Sequence, residues 1–397
     1  MKFYLLLLLL LSSLFAKDEV AATLHDLHLS GNIQLYMNGT DTEHTASKED
    51  NHATSFGTIL NYKQTYINNI GMELGYGGSN AIGGNENYDK TGLFNNYKPS
   101  ENLNAITKGN LFYSTKKLTV KAGVQTINTP LLNEDKSHIV PWSVTALSAT
   151  YLFDNNIHLH LAGITDIRSN TAAIYDNKTA SGNMNANNMY MLGLRYTFEE
   201  NQAFRAYLYL ADELYDSFYA DYKANFSLSE DFHYGFGTQY IKTFDGGENN
   251  DRVTRNGGDD VDLVGFKVYT DYHDLEFEID YTRNFGYSGI NKGYGGLTQL
   301  FTRTLDISGG DSNQARTWQF RSTYTLDPTF LGTTELAVFV LDTYHDSSLG
   351  NDYTAYYTHI HHYFNTSTSL YARYEYADYE EEDTDEHYFR IIMKYTF

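Results

Sequence analysis

Alternation of apolar and polar residues constrains the fold of this chain more than any other feature of its sequence. Near the C-terminus, Phe389, Ile391 and Met393 are apolar. Arg390 and Lys394 stand at the intervening positions. Side chains two residues apart share one face of a β-strand, so such a segment has one apolar face and one polar face. A helical period is hard to find for more than about two turns, and the chain is therefore predicted to be all-β.

Similar segments recur along the whole chain, and we predict about eighteen antiparallel strands of roughly ten to thirteen residues, the length of a tilted transmembrane strand. They lie near 27–39, 53–63, 68–78, 105–115, 117–126, 143–153, 156–166, 187–198, 201–212, 214–226, 231–243, 260–272, 274–285, 314–326, 334–344, 352–364, 367–379 and 386–397. The chain has only 4 prolines, and all of them fall in connections, so the strands keep their backbone donors.

The connections between these strands alternate in length. Those after even-numbered strands are short, as at 154–156, 199–201 and 229–231, whereas most of those after odd-numbered strands are long and rich in Gly, Asn and Asp. Short turns on one rim and long loops on the other are typical of outer-membrane β-barrels. We expect both termini on the periplasmic side. The loops expected on the cell surface lie near 41–51, 80–104, 167–186, 244–259 and 286–313.

The N-terminus and the composition indicate an exported protein. Lys2 precedes a leucine-rich run and the small residues up to Ala16, which predicts a signal peptide over 1–16 and a barrel over 17–397. A membrane anchor is the alternative, but this run is too short to span a bilayer as a helix.

The 397 residues include no cysteine, which excludes disulfides and thiolate metal sites. A net charge of −22 argues against nucleic acid as a partner.

A secreted soluble β-protein would show the same alternation, because one face of its sheet packs on a core. Three features favour a barrel in lipid instead. Aromatic residues cluster near strand ends, Gly and Pro punctuate the loops, and the chain finishes on a strand that ends at Phe397. We therefore predict an outer-membrane β-barrel whose partners are outer-membrane lipid and lipopolysaccharide.

In such a barrel the polar face of each strand lines the lumen, and eighteen strands enclose an aqueous channel. The basic residues assigned to the lumen are Lys121, Arg195, Arg205, Lys267, Arg321, Arg373, Arg390 and Lys394. The acidic residues assigned to it are Glu276, Glu278, Asp280 and Glu375.

One long connection differs from the others because it is apolar and bracketed by two prolines. We expect this segment, residues 127–142 and here called the constriction loop, to fold inward and narrow the pore. Its candidate site residues are Thr129, Pro130, Asn133, Glu134, Asp135, Ser137, His138 and Pro141.

Together with the preceding Lys121, Gly123 and Gln125, this loop resembles the corresponding segment of OprD-type porins and the related major-outer-membrane-protein porins. The resemblance implies an eighteen-stranded barrel and a homotrimer. It also implies a ladder of basic side chains that guides small carboxylate-bearing or zwitterionic solutes through the lumen.

No catalytic motif is found, and the glycine-rich stretches from Gly71 to Gly84 and from Gly286 to Gly296 are interpreted as extracellular connections. Two histidine pairs have the spacing of metal ligands but are better explained as lumen-lining residues; they are His158 with His160 and His359 with His361. The acidic run 380–386 is interpreted as a solvated loop, with surface-bound Ca²⁺ or Mg²⁺ as the alternative. No other cofactor is expected.

The leading hypothesis is therefore a porin, a non-enzymatic channel through which small hydrophilic solutes diffuse. An adhesin or an enzyme on the same barrel is the alternative. Single-channel conductance distinguishes them, because an adhesin would close its lumen.

Overall fold

The computed structural model describes most of the chain. The described residues are 25–44, 47–66, 68–84, 91, 93–94, 102–135, 137–154, 156–173, 188–199, 201–211, 215–246, 260–290, 294–303, 312–329, 331–346, 351–380 and 384–397. The predicted signal peptide, residues 1–16, lies outside them. In this part of the chain no helix is both long enough and apolar enough to cross a membrane.

Eighteen strands make up the fold, one for each predicted segment. They are β1 (His25–His44), β2 (Ser47–Thr65), β3 (Ile70–Gly84), β4 (Leu103–Ser114), β5 (Leu118–Gln125), β6 (Ser143–Leu152), β7 (Ile157–Arg168), β8 (Met189–Glu199), β9 (Gln202–Ala211), β10 (Tyr215–Ser227), β11 (Phe232–Gly246), β12 (Asp262–Tyr272), β13 (Leu275–Asn284), β14 (Ala315–Thr329), β15 (Gly332–His345), β16 (Tyr353–Tyr363), β17 (Thr368–Tyr379) and β18 (Thr384–Thr396).

Each strand pairs antiparallel with its neighbours in the sequence, and β1 also pairs with β18, which closes the sheet into a barrel. At the closing seam Ile33 lies opposite Tyr395 and Leu35 opposite Met393. The amide of Phe397 donates to the carbonyl of Gly31, and the amide of Gly31 donates back, both over 3.0 Å. The predicted fold class, an eighteen-stranded antiparallel barrel, is confirmed.

The two faces of most strands follow the predicted alternation. On β13, Phe277 and Ile279 are 49% and 46% exposed, whereas Glu278 and Asp280 are 6% and 0% exposed. Apolar residues therefore cover the outside of the barrel, where lipid contacts them, and polar residues line the inside. The largest cluster of buried apolar residues also lies inside, because loops fold into the lumen and pack against the wall.

Connection length separates the two rims as predicted. The turns that follow β2, β4, β6, β8, β10, β12, β14 and β16 contain two to four residues, whereas several connections at the other rim are much longer. The tightest turns use residues that tolerate a left-handed backbone, such as Asn68, Asn69 and His273 with φ of 55°, 66° and 52°.

Three predictions about the long-loop rim are wrong. The loop expected near 41–51 is strand, because β1 and β2 stay paired as far as His44 and Ser47, with Asp41 opposite Asp50. The stretch from Gly71 to Gly84 is strand β3 and not a connection.

The third error concerns two loops expected on the cell surface. Leu93 and Phe94 of the 80–104 segment are 2% and 1% exposed, and Tyr294 of the 286–313 segment is fully buried. These parts of both loops lie inside the barrel, because their apolar residues leave water by packing there.

Two adjacent isoleucines on β18 allow a direct test of the lipid face. Ile391 is 39% exposed on the outside, whereas Ile392 lines a cavity inside the barrel. We expect Ile391→Arg to lower the free energy of unfolding in lipid vesicles by about 2 to 4 kcal/mol, the cost of arginine near the bilayer midplane. The matched variant Ile392→Arg should cost less, because the new charge reaches water. Urea titration of vesicle-inserted protein measures both variants, and equal losses would argue against the assigned faces.

Candidate pore constriction

The constriction loop folds into the barrel and is anchored at both ends by apolar side chains. Leu131 and Leu132 pack with Tyr209 of β9 and with Tyr294. Ile139 and Val140 pack with Tyr36 of β1. These two anchors lie on strands far apart in the ring, so the loop crosses in front of the wall formed by the first nine strands. It narrows the lumen from that side.

A second segment, residues 294–303, packs against the constriction loop inside the barrel. The amide of Asn133 donates to the carbonyl of Gly295 over 2.9 Å, and its side-chain amide donates to the carbonyl of Leu297 over 2.6 Å. Gly296 has φ +85°, and a Cβ there would stand 2.4 Å from Asn133 Oδ1. Only glycine permits so close an approach of the two loops.

Polar groups fix the tip of the constriction loop. Asp135 accepts hydrogen bonds from the Ser137 amide at 3.0 Å and the Ser137 hydroxyl at 2.5 Å, and His138 Nδ1 lies 3.3 Å from its carboxylate. Asn170 donates to the same carboxylate over 3.0 Å. Tyr36 donates its hydroxyl proton to the carbonyl of Ser137 over 2.5 Å. Burial alone would raise the pKa of Asp135, but the contacts with His138 and Ser137 lower this pKa well below its usual range.

The other candidate residues of the loop hold its backbone. Thr129 is buried and donates its hydroxyl proton to the carbonyl of Leu132 over 2.8 Å, and the carbonyl of Pro130 accepts from Gln299. The carbonyl of Glu134 accepts from the amide of Trp142 over 3.0 Å, and that of Pro141 accepts from Arg168 over 2.6 Å.

The alternation places all eight predicted basic residues on the inner face of the barrel. On β5, Lys121 lies 2.9 Å from Glu73. Arg205 on β9 contacts Asp221 at 2.5 Å and donates to Gln299 over 3.2 Å.

Lys267 and Arg321, on β12 and β14, flank the acidic residues of β13. Lys267 lies 2.8 Å from Glu278 and 3.5 Å from Asp280, and Arg321 lies 3.9 Å from Glu278. Glu276 is half-buried on the same inner face. The carboxylates of β13 are thus held beside two cations rather than projecting alone into the lumen.

Four of the eight basic residues form two cross-strand pairs. Arg195 on β8 stands directly opposite Arg205 on β9, and Arg373 on β17 stands opposite Arg390 on β18. Arg373 Nε lies 3.5 Å from the buried Glu375. Since the two strand pairs are nine strands apart in a ring of eighteen, the arginine pairs lie on opposite walls of the barrel.

A cavity of about 430 Å³ lies between the constriction loop and strands β16, β17, β18 and β1. Ser137 and His138 form its loop side, and Arg390, Lys394 and His361 line the opposite wall.

The charged residues of the lumen that sequence reasoning missed include four basic residues and the carboxylates Glu73, Asp221 and Asp271. Lys63, Lys223 and Glu73 have the inward parity of their strands and could have been found from it. Lys108 faces inward because β4 has a bulge at Thr107, opposite Gly75 and Tyr76 of β3. Alternation alone does not reveal this bulge.

The fourth missed residue, Arg168 at the end of β7, is fully buried. It donates to the carbonyls of Pro141, Ser169 and Ala172 over 2.6, 3.0 and 3.0 Å. It thereby ties the end of the constriction loop to the start of the next long connection.

The histidine pairs and the acidic run show no metal site among the described residues, where no three His, Asp or Glu side chains gather as ligands would. His359 contacts Glu335 at 3.0 Å and Tyr357 at 2.9 Å, while His158 and His160 stack on the inner wall. Of the acidic run, Asp385 and Glu386 belong to β18 and accept hydrogen bonds from tyrosines. Residues 381–383 lie outside the described part, and bound Ca²⁺ or Mg²⁺ there stays a prediction.

Comparison with known proteins decides the family. The model of a family described as outer membrane porin, OprD family, matches residues 22–342. The chain belongs to this OprD family of porins. It is thus an outer-membrane channel for small hydrophilic solutes. No curated protein sequence matches it significantly.

Solved porin structures share the fold at low sequence identity. Acinetobacter baumannii OccAB1 is 15% identical with a TM-score of 0.79, over 93% of this chain and 96% of that one. Pseudomonas aeruginosa OccK9 (OpdG) is 14% identical with a TM-score of 0.79, over 94% and 98% of the two chains. Pseudomonas aeruginosa OccK8 (OprE) is 14% identical with a TM-score of 0.73, over 94% and 98%.

The network around Asp135 generates a prediction for this porin. We expect Asp135→Asn to loosen the constriction loop and raise the single-channel conductance in planar bilayers at pH 7, because the contact with His138 loses its charge. Since the pKa of Asp135 is lowered from 3.8, its contribution is fully present above about pH 3.8 and is lost only as the pH falls through the lower folded value. The wild-type conductance should therefore hold at pH 5.

Glu134→Gln is the matched control, because it removes one carboxylate from the same loop and leaves the contacts of Ser137 and His138 in place. An Asp135→Asn channel that conducts like the wild type and like this control would show that the network does not hold the loop.

Proposed function

We propose that this porin favours small solutes that carry a carboxylate, including zwitterions, over cations of similar size. The proposal is based on two arginine pairs that lie on opposite walls of the lumen. They are Arg195 with Arg205 and Arg373 with Arg390. Each pair holds two guanidinium groups beside one carboxylate, Asp221 for the first pair and Glu375 for the second. Like charges directly opposite on neighbouring strands repel each other, so a further anion beside each pair is stabilised.

The other two walls carry unlike charges. Lys63, Lys108 and Lys121 surround Glu73 on the wall of β2 to β5. Nine strands away, four carboxylates outnumber three cations. The carboxylates are Asp271, Glu276, Glu278 and Asp280, and the cations are Lys223, Lys267 and Arg321. A field therefore runs across the lumen and orients a zwitterion with its carboxylate toward the lysines. The field filters solutes by charge without any chemical step.

The protein's net charge of −22 would by itself suggest a cation-preferring pore. Exposed charges at the rim act over a Debye length of only about 8 Å at physiological salt, so the charges at the constriction decide selectivity. We therefore infer anion preference at the constriction and cation enrichment at the mouth. The homotrimer that the resemblance implied remains a prediction, to be tested by the mass of the detergent-solubilised complex.

Neutralising one arginine of each pair tests the selectivity. We expect Arg195→Gln combined with Arg390→Gln to move the reversal potential in a salt gradient toward cations, because both walls lose a cation. Entry of carboxylate-bearing solutes into proteoliposomes should slow relative to uncharged solutes of the same size.

Arg316→Gln is the matched control, since Arg316 lies on β14 with its side chain on the outside of the barrel. It should leave both measurements at wild-type values. An unchanged reversal potential in the double variant would overturn the assignment of these arginines to the narrow part of the pore.

A further inference from the structure

Three basic side chains face outward near the long-loop rim, away from the lumen. They are Lys242 on β11, Arg283 on β13 and Arg316 on β14. Their neighbours along the chain, such as Thr282 and Thr317, are buried on the inner face. The exposed fractions of the three side chains are 38%, 37% and 48%. They form a basic arc on the lipid-facing side of the barrel.

The basic arc begins where the apolar band ends. The next outward-facing residues toward the middle of β13 and β14 are Tyr281 and Trp318, whose rings lie 4.6 Å apart. The outward-facing residues after these are Ile279 and Phe320, which stand opposite each other. Paired aromatic rings at this height are typical of the girdle at a membrane interface. The arc therefore lies at the level of the lipid headgroups, and it lies in the outer leaflet because the long loops face outward.

Arg283 and Arg316 stand directly opposite each other on neighbouring strands. Two like charges in this position destabilise a sheet unless an anion sits beside them. Asp346 supplies part of the compensation, at 2.9 Å from Arg283 Nη2 and 3.9 Å from Arg316 Nε. Among the described residues, one carboxylate is thus shared between the two guanidinium groups.

Aromatic rings hold the two guanidinium groups. Arg283 lies over the ring of Phe285 at 4.6 Å, and Arg316 lies over that of Tyr344 at 5.6 Å. These contacts restrict the side chains before any ligand binds, and a guanidinium presents donors with the spacing that phosphate oxygens accept. At the flank, Lys242 contacts Asp262 at 2.9 Å and adds a third cation.

We propose that Arg283 and Arg316, with Lys242 beside them, bind a phosphate group of lipopolysaccharide in the outer leaflet. The ligand class follows from the position, since a phosphorylated glycolipid places its acyl chains against the apolar band and its phosphates at the height of the arc. The proposal rests on the outer-membrane orientation but not on the solute preference proposed for the lumen.

The test measures binding of lipopolysaccharide to the full-length porin in detergent. We expect the wild type to bind intact lipopolysaccharide at least about tenfold more tightly than Arg283→Gln combined with Arg316→Gln, because charge-assisted bonds to phosphate are lost. Dephosphorylated lipopolysaccharide should bind wild type and variant equally weakly. The matched control, Lys116→Gln with Lys117→Gln, removes two charges from the short-turn rim and should bind like the wild type.

Two results would overturn the proposal. One is equal binding of intact lipopolysaccharide by the wild type and the arginine variant. The other is phosphatidylglycerol binding as tightly as lipopolysaccharide with the same loss in the variant, which would indicate a general phospholipid site. Conductance of the same variants in bilayers without lipopolysaccharide separates this test from that of the pore, since the arc does not touch the lumen.

Discussion

Hydrogen bonding of the backbone in lipid is the constraint on which the rest of this structure depends. A sheet edge in the hydrocarbon region would leave peptide groups unpaired at a cost of several kcal/mol each, so the sheet must close. The closure here is the β1–β18 ladder, which runs from Asn32 opposite Thr396 to His44 opposite Thr384. Closure with eighteen strands then sets the width of the lumen, which is too large for wall side chains to fill.

An empty lumen of that width would not discriminate between solutes, and the inward loops supply the discrimination. The constriction loop and residues 294–303 bury apolar side chains against the inner wall and against each other. Their polar atoms bond to one another, as Asn133 does with Leu297, or to the wall, as Ser137 does with Tyr36. The loops are therefore a second layer of structure within the barrel, and a cavity lies between the constriction loop and β16, β17, β18 and β1.

The ring order converts positions that are distant in sequence into opposing walls. Arg195 and Arg390 are far apart along the chain, yet their strand pairs face each other because half of the ring separates them. The same geometry sets the lysines of β2 to β5 against the carboxylates of β13. The outer face follows the opposite parity, so Arg283 and Arg316 point to lipid from strands whose inner faces carry pore residues.

Much of the fold could be predicted from the sequence because a strand's faces alternate locally. The eighteen strands, the short turns of one rim and the inward direction of residues such as Lys267 and Arg321 follow from a period of two, together with proline placement. These features need only information carried by adjacent residues.

What only the tertiary structure decided depends on contacts between distant residues. The bulge on β4 that turns Lys108 inward, the extension of β1 and β2 past the expected loop, and the burial of Leu93 and Tyr294 within the lumen have no local signal. Arg168 likewise became recognisable only when the carbonyls of Pro141 and Ala172 were found beside it. The alternating pattern indicates which face of a strand contacts lipid. The path of a loop instead depends on the apolar surface and the hydrogen-bond partners inside the closed barrel.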